Sequence, residues 1–249
     1  MEIDLNCDMG EGCGADERIM PLVSSASVAC GFHAGGPAAI RETIRLARRC
    51  GVAVGAHPSF PDRAGFGRRL MACSPAEVED DVTYQVGAVL GFCRAEGVPL
   101  CHVKPHGALY NAAAQDPDLA AAVCRAVKAV DAGLVVVCLA GSPMAGVARG
   151  MGLACAEEAF ADRAYTARGA LVPRSQPGAV IEDPRVVAER VSSMARERRV
   201  LAADGTPVAV AADTICVHGD TPGAPEVLAA IRARLRQDGV TVRAPARRG

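Results

Sequence analysis

Four of the five histidines close an apolar run and stand directly before Gly, Pro or Ala-Gly. His33 follows residues 27–32, His57 follows 52–56, His106 closes 100–106 and His218 follows 214–217. Histidine is the side chain that exchanges protons near neutral pH or lends a nitrogen to a metal. Histidines placed where buried strands stop point to one converging site. A further run, IDLNCDMGE, ends in acids. Its Asp4, Asn6 and Asp8 alternate and so share one face of a strand. Buried acids on that face need partners or a metal. Glu11 follows on a glycine-rich loop within reach of the same centre. Neighbouring parallel strands lie about 4.8 Å apart, so Asp8, His33 and His57 could meet. They would form either a divalent-metal set or a metal-free acid–base cluster whose carboxylate raises a histidine pKa.

Residues 102–111 (HVKPHGALYN) are the densest polar stretch. His102 and Lys104 share a strand face, and Pro105 stops that strand. Lys104 and Lys128 are the only lysines among 27 basic residues. Lys104 therefore suits a role arginine cannot fill: a compact point charge, or an amine of depressed pKa. The long polar connection 157–178 reads as a lid or binding loop. In it Arg163 or Arg174 could clamp a carboxylate or phosphate, or Arg163 could pair with Asp162. Residues 57–69 resemble a second such loop. His218 and Asp220 form a His-Gly-Asp turn suited to binding. No GxxxxGK[ST] phosphate loop and no GxSxG elbow occurs, so a site for ATP of that kind is not expected on this chain.

These residues need a scaffold. Apolar runs at 3–7, 27–31, 52–56, 100–103, 134–139, 153–156 and 214–217 are nearly continuous, as in strands buried on both faces. Between them, Ser74-Pro, Asp116-Pro, Ser142-Pro, Asp183-Pro and Thr221-Pro read as helix starts, with proline at the first helical position. Ser74 and Glu77 fit a capping box, and Gly36-Pro opens a helix over Pro37–Cys50. Seven strands alternating with helices predict a parallel sheet. Gly10–Gly14 lacks GxGxxG spacing, so a single-domain, TIM-like (β/α) barrel is preferred to an open sheet. Active residues would then gather at the C-terminal ends of the strands. A hairpin is expected at 200–211 with Asp204-Gly205 as its turn, and a flexible tail at 240–249.

Composition limits the partners. The formal charge is −1 and Trp is absent; small basic clusters such as Arg196–Arg199 and Arg247-Arg248 read as solvated faces, so no nucleic acid is expected. No run reaches the roughly 18 apolar residues of a membrane span, and the N-terminus has no leader pattern. A cytoplasmic protein is expected. The eleven cysteines show no CxxC spacing and read as reduced, mostly buried apolar residues.

The ordered motifs IDLNCDMGEG, ACGFHAG, GAHPSFPDRAGFGRR, YQVGA, HVKPHGALYN, FADRAY, LVPRSQPGA and CVHGD resemble the lactam-utilisation (LamB/YcsF) family, the A subunits of bacterial 5-oxoprolinases. Ser27 stands where that family carries Asn, and Gly36 where it carries Asp. The resemblance implies a seven-stranded β/α barrel similar to metal-dependent polysaccharide deacetylases. It also implies ATP-dependent opening of 5-oxoproline to L-glutamate with subunits B and C, which would handle ATP and its Mg2+. On that reading Asp8, Glu11, His57, Lys104 and His106 are the catalytic candidates. Asn6, His33, Arg163, Arg174, His218 and Asp220 would bind substrate, and Asp8, His33 and His57 are the candidates for a divalent metal. Two alternatives stay open: a stand-alone metal-dependent amidohydrolase or deacetylase, and a non-catalytic lactam-binding subunit.

Overall fold

The computed structural model describes residues 1–221 and 223–246. Strand β1 (Glu2–Met9) is followed by the short α1 (Asp16–Ile19), β2 (Ser25–Ala29), α2 (Pro37–Cys50), β3 (Ala53–His57) and α3 (Pro75–Ala95). Then come β4 (Leu100–Val103), α4 (Gly107–Ala113), α5 (Pro117–Val130), β5 (Val135–Leu139), α6 (Pro143–Gly150) and β6 (Ala154–Phe160). The chain ends with α7 (Pro184–Glu197), the hairpin β7 (Arg199–Leu201) and β8 (Pro207–Ala209), β9 (Thr214–Cys216), α8 (Ala224–Gln237) and β10 (Thr241–Val242). Strands β1 to β6 and β9 pair in parallel in that order, and β9 pairs back onto β1. The result is the expected closed seven-stranded barrel.

Period-two alternation sorts the side chains of β1. Ile3, Leu5, Cys7 and Met9 join the apolar layer beneath the helices. Asp4, Asn6 and Asp8 turn to the barrel interior. That interior is not the usual branched apolar filling. Asp4 accepts from the hydroxyls of Ser24, Ser25 and Thr214 at 2.6–2.8 Å, and burial raises its pKa. Ser27 contacts His102 Nε2 at 3.2 Å. Gly55, in register with His102, leaves room for that ring: a Cβ there would collide with His102 Nε2. Val135, Val137 and Ala156 form a separate small apolar cluster.

Helix starts follow the caps in most cases. Ser74 and Glu77 form the reciprocal capping box. Asp116 and Asp183 accept from the first-turn amides of α5 and α7. Ser142 makes no cap bond. The last long helix is capped by Gly223 with Pro225 in its first turn, not by Thr221; Pro222 lies outside the described residues, as do Arg247 and Arg248.

Several boundaries differ from expectation, three of them for a clear physical reason. Strand β2 begins at Ser25 rather than 27, because the polar Ser24 and Ser25 bond Asp4. Strand β6 continues through Glu157 and Glu158 to Phe160, where a connection was expected; an inward Glu158 is tolerated because Lys104 meets it. The stretch 240–242 is no free tail: β10 pairs with Glu2 and Ile3.

Candidate active site

The rim above the C-terminal strand ends gathers most of the predicted residues. His57 is the last residue of β3. His106 caps α4, three residues beyond β4, and His218 sits two beyond β9. His33 lies four residues past β2, yet its loop folds back so that its ring stacks on His106 at 3.8 Å.

His57 is held by elementary donor–acceptor logic. Its Nδ1 is 2.7 Å from the Lys104 carbonyl oxygen, which only accepts, so Nδ1 carries hydrogen. His57 Nε2 then faces Asp8 Oδ2 at 3.2 Å and His106 Nδ1 at 3.0 Å. His106 is fixed in turn, because its Nε2 donates to the Phe66 carbonyl at 2.9 Å. Its Nδ1 therefore offers a lone pair towards His57. A proton on His57 Nε2 satisfies both neighbours. Burial opposes that charge, but Asp8 outweighs it and raises the His57 pKa. Burial and the His57 charge push His106 down to about 2 and His33 down to about 3.

Lys104 is nearly inaccessible at 3% exposure. Its Nζ lies 2.8 Å from Glu158 Oε1, 3.0 Å from Asp8 Oδ1, 3.1 Å from Asn6 Oδ1 and 3.2 Å from Cys216 Sγ. Burial alone would lower its pKa, but Asp8, Cys216 and Glu158 raise it well above the ordinary value. The depressed-amine alternative is thus overturned; Lys104 is the compact fixed charge. Burial would likewise raise Asp8, yet the charges of His57 and Lys104 hold it well below the usual carboxylate range. Glu11 behaves oppositely: burial, aided by Asp8, pushes it up to about 7.

A cavity of about 540 Å³ opens on this cluster, with Asp8, His57, Lys104 and His106 in its wall. Phe160 and Tyr110 add apolar surface. The expected binding loop contributes Leu171 to Arg174. His218 lines the cavity, stacked on Phe160 and bonded through Nδ1 to Asp162 at 2.8 Å.

Several expectations need correction. Asp162 binds His218 and Thr221, and forms no ion pair with Arg163 among the described residues. Arg163 lines the cavity but is already committed to the Val172 and Ala179 carbonyls. Asn6 is buried beneath Lys104, bonded to Glu158 and Thr214, and is not in the cavity wall. His33 and Glu11 border a separate shallow groove, with Nε2 to Oε1 at 2.9 Å. Asp220 pairs with Arg68 at 2.6 Å and with Arg174 at 3.6 Å.

Two residues escaped the sequence. Glu158 looked like the polar end of a strand. Arg68 was one arginine in an Arg-rich loop; only the strand-end placement of that loop hinted at it.

The donor atoms that could hold a metal come from Glu11, His33, His57 and His106, all within 4.8 Å of one another. Asp8 is drawn instead towards Lys104, so the set differs from Asp8, His33 and His57. The carbonyls of Lys104 and Phe66 fix the tautomers that present His57 Nε2 and His106 Nδ1 inward, as outer acceptors do at metal sites. The donor set fits a divalent cation, which would compete with the His57 proton for the same lone pairs.

A β/α barrel with an acid–histidine–lysine rim defines a class of protein, and comparison narrows it. The chain belongs to the LamB/YcsF family, whose model matches residues 3–248. It is 55% identical over 249 residues to a Thermus thermophilus protein named as the A subunit of 5-oxoprolinase, covering 98% of this chain and 100% of that one. A Pyrococcus furiosus protein of the same name is 51% identical over 97% of each chain. The crystal structure of a lactam utilization protein from Thermus thermophilus superposes with a TM-score of 0.92 at 54% identity, over 98% of this chain and 100% of that one. A family 4 carbohydrate esterase from Streptomyces lividans, at TM-score 0.53, 11% identity and 97% and 91% coverage, shares the fold alone.

Proposed function

We propose that this chain is the A subunit of an ATP-dependent 5-oxoprolinase and carries the ring-opening site. The observation that supports this best is the convergence of Asp8, His57 and Lys104 in the wall of one cavity large enough for a small lactam. Partner subunits B and C would supply the ATP-linked step, consistent with a sequence that has no phosphate loop. The lactam oxygen is phosphorylated, and water attacks the ring carbon. Asp8, held ionised, takes the water proton, and the protonated His57 gives its Nε2 proton to the ring nitrogen as the C–N bond breaks. The proton on Asp8 then passes to His57 Nε2, 3.2 Å away. The carbon keeps its phosphoryl oxygen in that step, so a second water releases phosphate and leaves L-glutamate. Lys104 keeps Asp8 ionised and places positive charge beneath the developing oxyanion. His218 and Arg174 hold the substrate's polar edge.

The donor set favours one further reading, a metal-dependent amide hydrolase that works alone. A divalent cation held by Glu11, His33, His57 and His106 would supply Lewis acidity beside the cavity. Metal analysis of the purified chain, with a lactam-opening assay lacking ATP and partners, separates the two. Stoichiometric metal with unassisted turnover supports the second; turnover only with ATP and both partners supports the first.

A further inference from the structure

The cavity mouth is lined by arginines whose partners differ. Arg68, Arg163 and Arg174 all line it, and they come from two loops, after β3 and after β6. Asp162 is used by His218 and Thr221, and Arg163 is spent on loop carbonyls. That leaves Arg68 and Arg174 sharing one carboxylate, Asp220, which both meet at the same Oδ2. The Arg68 guanidinium also lies over the Phe66 ring, with its Cζ 4.9 Å from the ring centre. Phe66 is in turn fixed: its ring packs edge-on to His33 and His106. It also holds φ of 55°, a conformation that β-carbon sterics disfavour. The loop thus places Arg68 in the cavity lining beside Phe66, whose carbonyl also sets His106.

We propose that Arg68 is an oxyanion-binding residue of this cavity, acting with Arg174, and that Asp220 competes with the ligand's anionic group for these arginines. An incoming carboxylate or phosphoryl group takes over the Arg68 donor that Asp220 now meets through a single oxygen, and can add the bidentate contact that a guanidinium offers. Asp220 on this view is a competitor that keeps the arginines in place, not a substrate contact. The inference deepens the 5-oxoprolinase reading and rests on it for the identity of the ligand.

The test is calorimetric titration of the full chain with 5-oxoproline and, separately, with inorganic phosphate, alongside KM for 5-oxoproline in the complex with subunits B and C. Arg68→Met should weaken binding of at least one probe about tenfold or more and raise KM, with Arg68→Lys recovering only part. Asp220→Asn should tighten the same probe severalfold. The probe that responds tells whether the group is the lactam carboxylate or a phosphoryl group. Unchanged binding in Arg68→Met, weakened binding in Asp220→Asn, or a wild-type chain that binds neither probe overturns the proposal. Normal wild-type turnover beside an unchanged Arg68→Met KM would discard Arg68 and leave the 5-oxoprolinase reading standing. Arg68-dependent phosphate binding without any glutamate release would do the reverse.

Discussion

Lys104 touches two carboxylates, an amide oxygen and a sulfur from inside a barrel, and that arrangement decides what it does. Its three protons are already committed, so it acts as a fixed charge beneath the site. Lys104→Met would leave Glu158 buried without a counter-charge and Asp8 with His57 alone, a loss of about 3–5 kcal/mol. Urea unfolding should show that loss, and Glu158→Gln in the same chain should recover part of the stability but not the turnover. His57→Gln tests the proton carrier without leaving a buried charge unpaired on the lysine; glutamate release should fall about 100-fold or more. At this scale the sequence was informative where chemistry is rare. Two lysines in a chain of arginines singled out Lys104, and period-two spacing placed Asp8 inward. Glu158 and Arg68 were not legible: an acid after an apolar run reads as a strand ending, and one arginine in a run of them has no distinguishing spacing.

The elements position these groups through short-range rules. Ser74 and Glu77 start α3 by mutual capping, so Ser74→Ala should cost about 1 kcal/mol in unfolding free energy and leave turnover intact. Gly55 gives its space to the His102 ring, and Gly55→Ala should cost about 1–3 kcal/mol by overpacking. The turn after β9 depends on Asp162, which burial would raise but His218 and Thr221 hold below the usual carboxylate range. A depressed carboxyl stabilises the fold above its unfolded pKa of about 3.9 and loses that contribution as pH falls through the lower folded value. Asp162→Asn should therefore be less stable than wild type by about 3 kcal/mol near neutrality. The gap should shrink below about pH 4 in denaturant titrations at each pH. Helix starts were readable because proline and a capping side chain act locally. Strand limits at Ser25 and Phe160 were not, because partners on other strands, Asp4 and the end of β4, set them. The Thr221 start failed because the helix begins three residues later, after Gly223, while Thr221 donates its hydroxyl to Asp162.

At the scale of the whole molecule, the closed barrel puts most candidate groups at one end, above Asn6 and the buried polar network of Asp4. Seven apolar runs and six helix starts were enough to foresee that closure, since a chain of this pattern without a dinucleotide fingerprint has few other ways to bury its strands. No helix among the described residues is long and apolar enough to cross a membrane. What the fold could not reveal in advance was the cluster's final composition, because loops bring Glu11, His33 and His106 together after the strands end. The most direct measurement is L-glutamate release from 5-oxoproline and ATP by the chain reconstituted with subunits B and C, beside His57→Gln and Asp8→Asn chains that still unfold cooperatively. Turnover is predicted for the wild-type complex, none without the partners, and a loss of about 100-fold or more in both variants. Wild-type rates in either variant, or no glutamate from the complete wild-type complex, would contradict a ring-opening site built on His57 and Asp8.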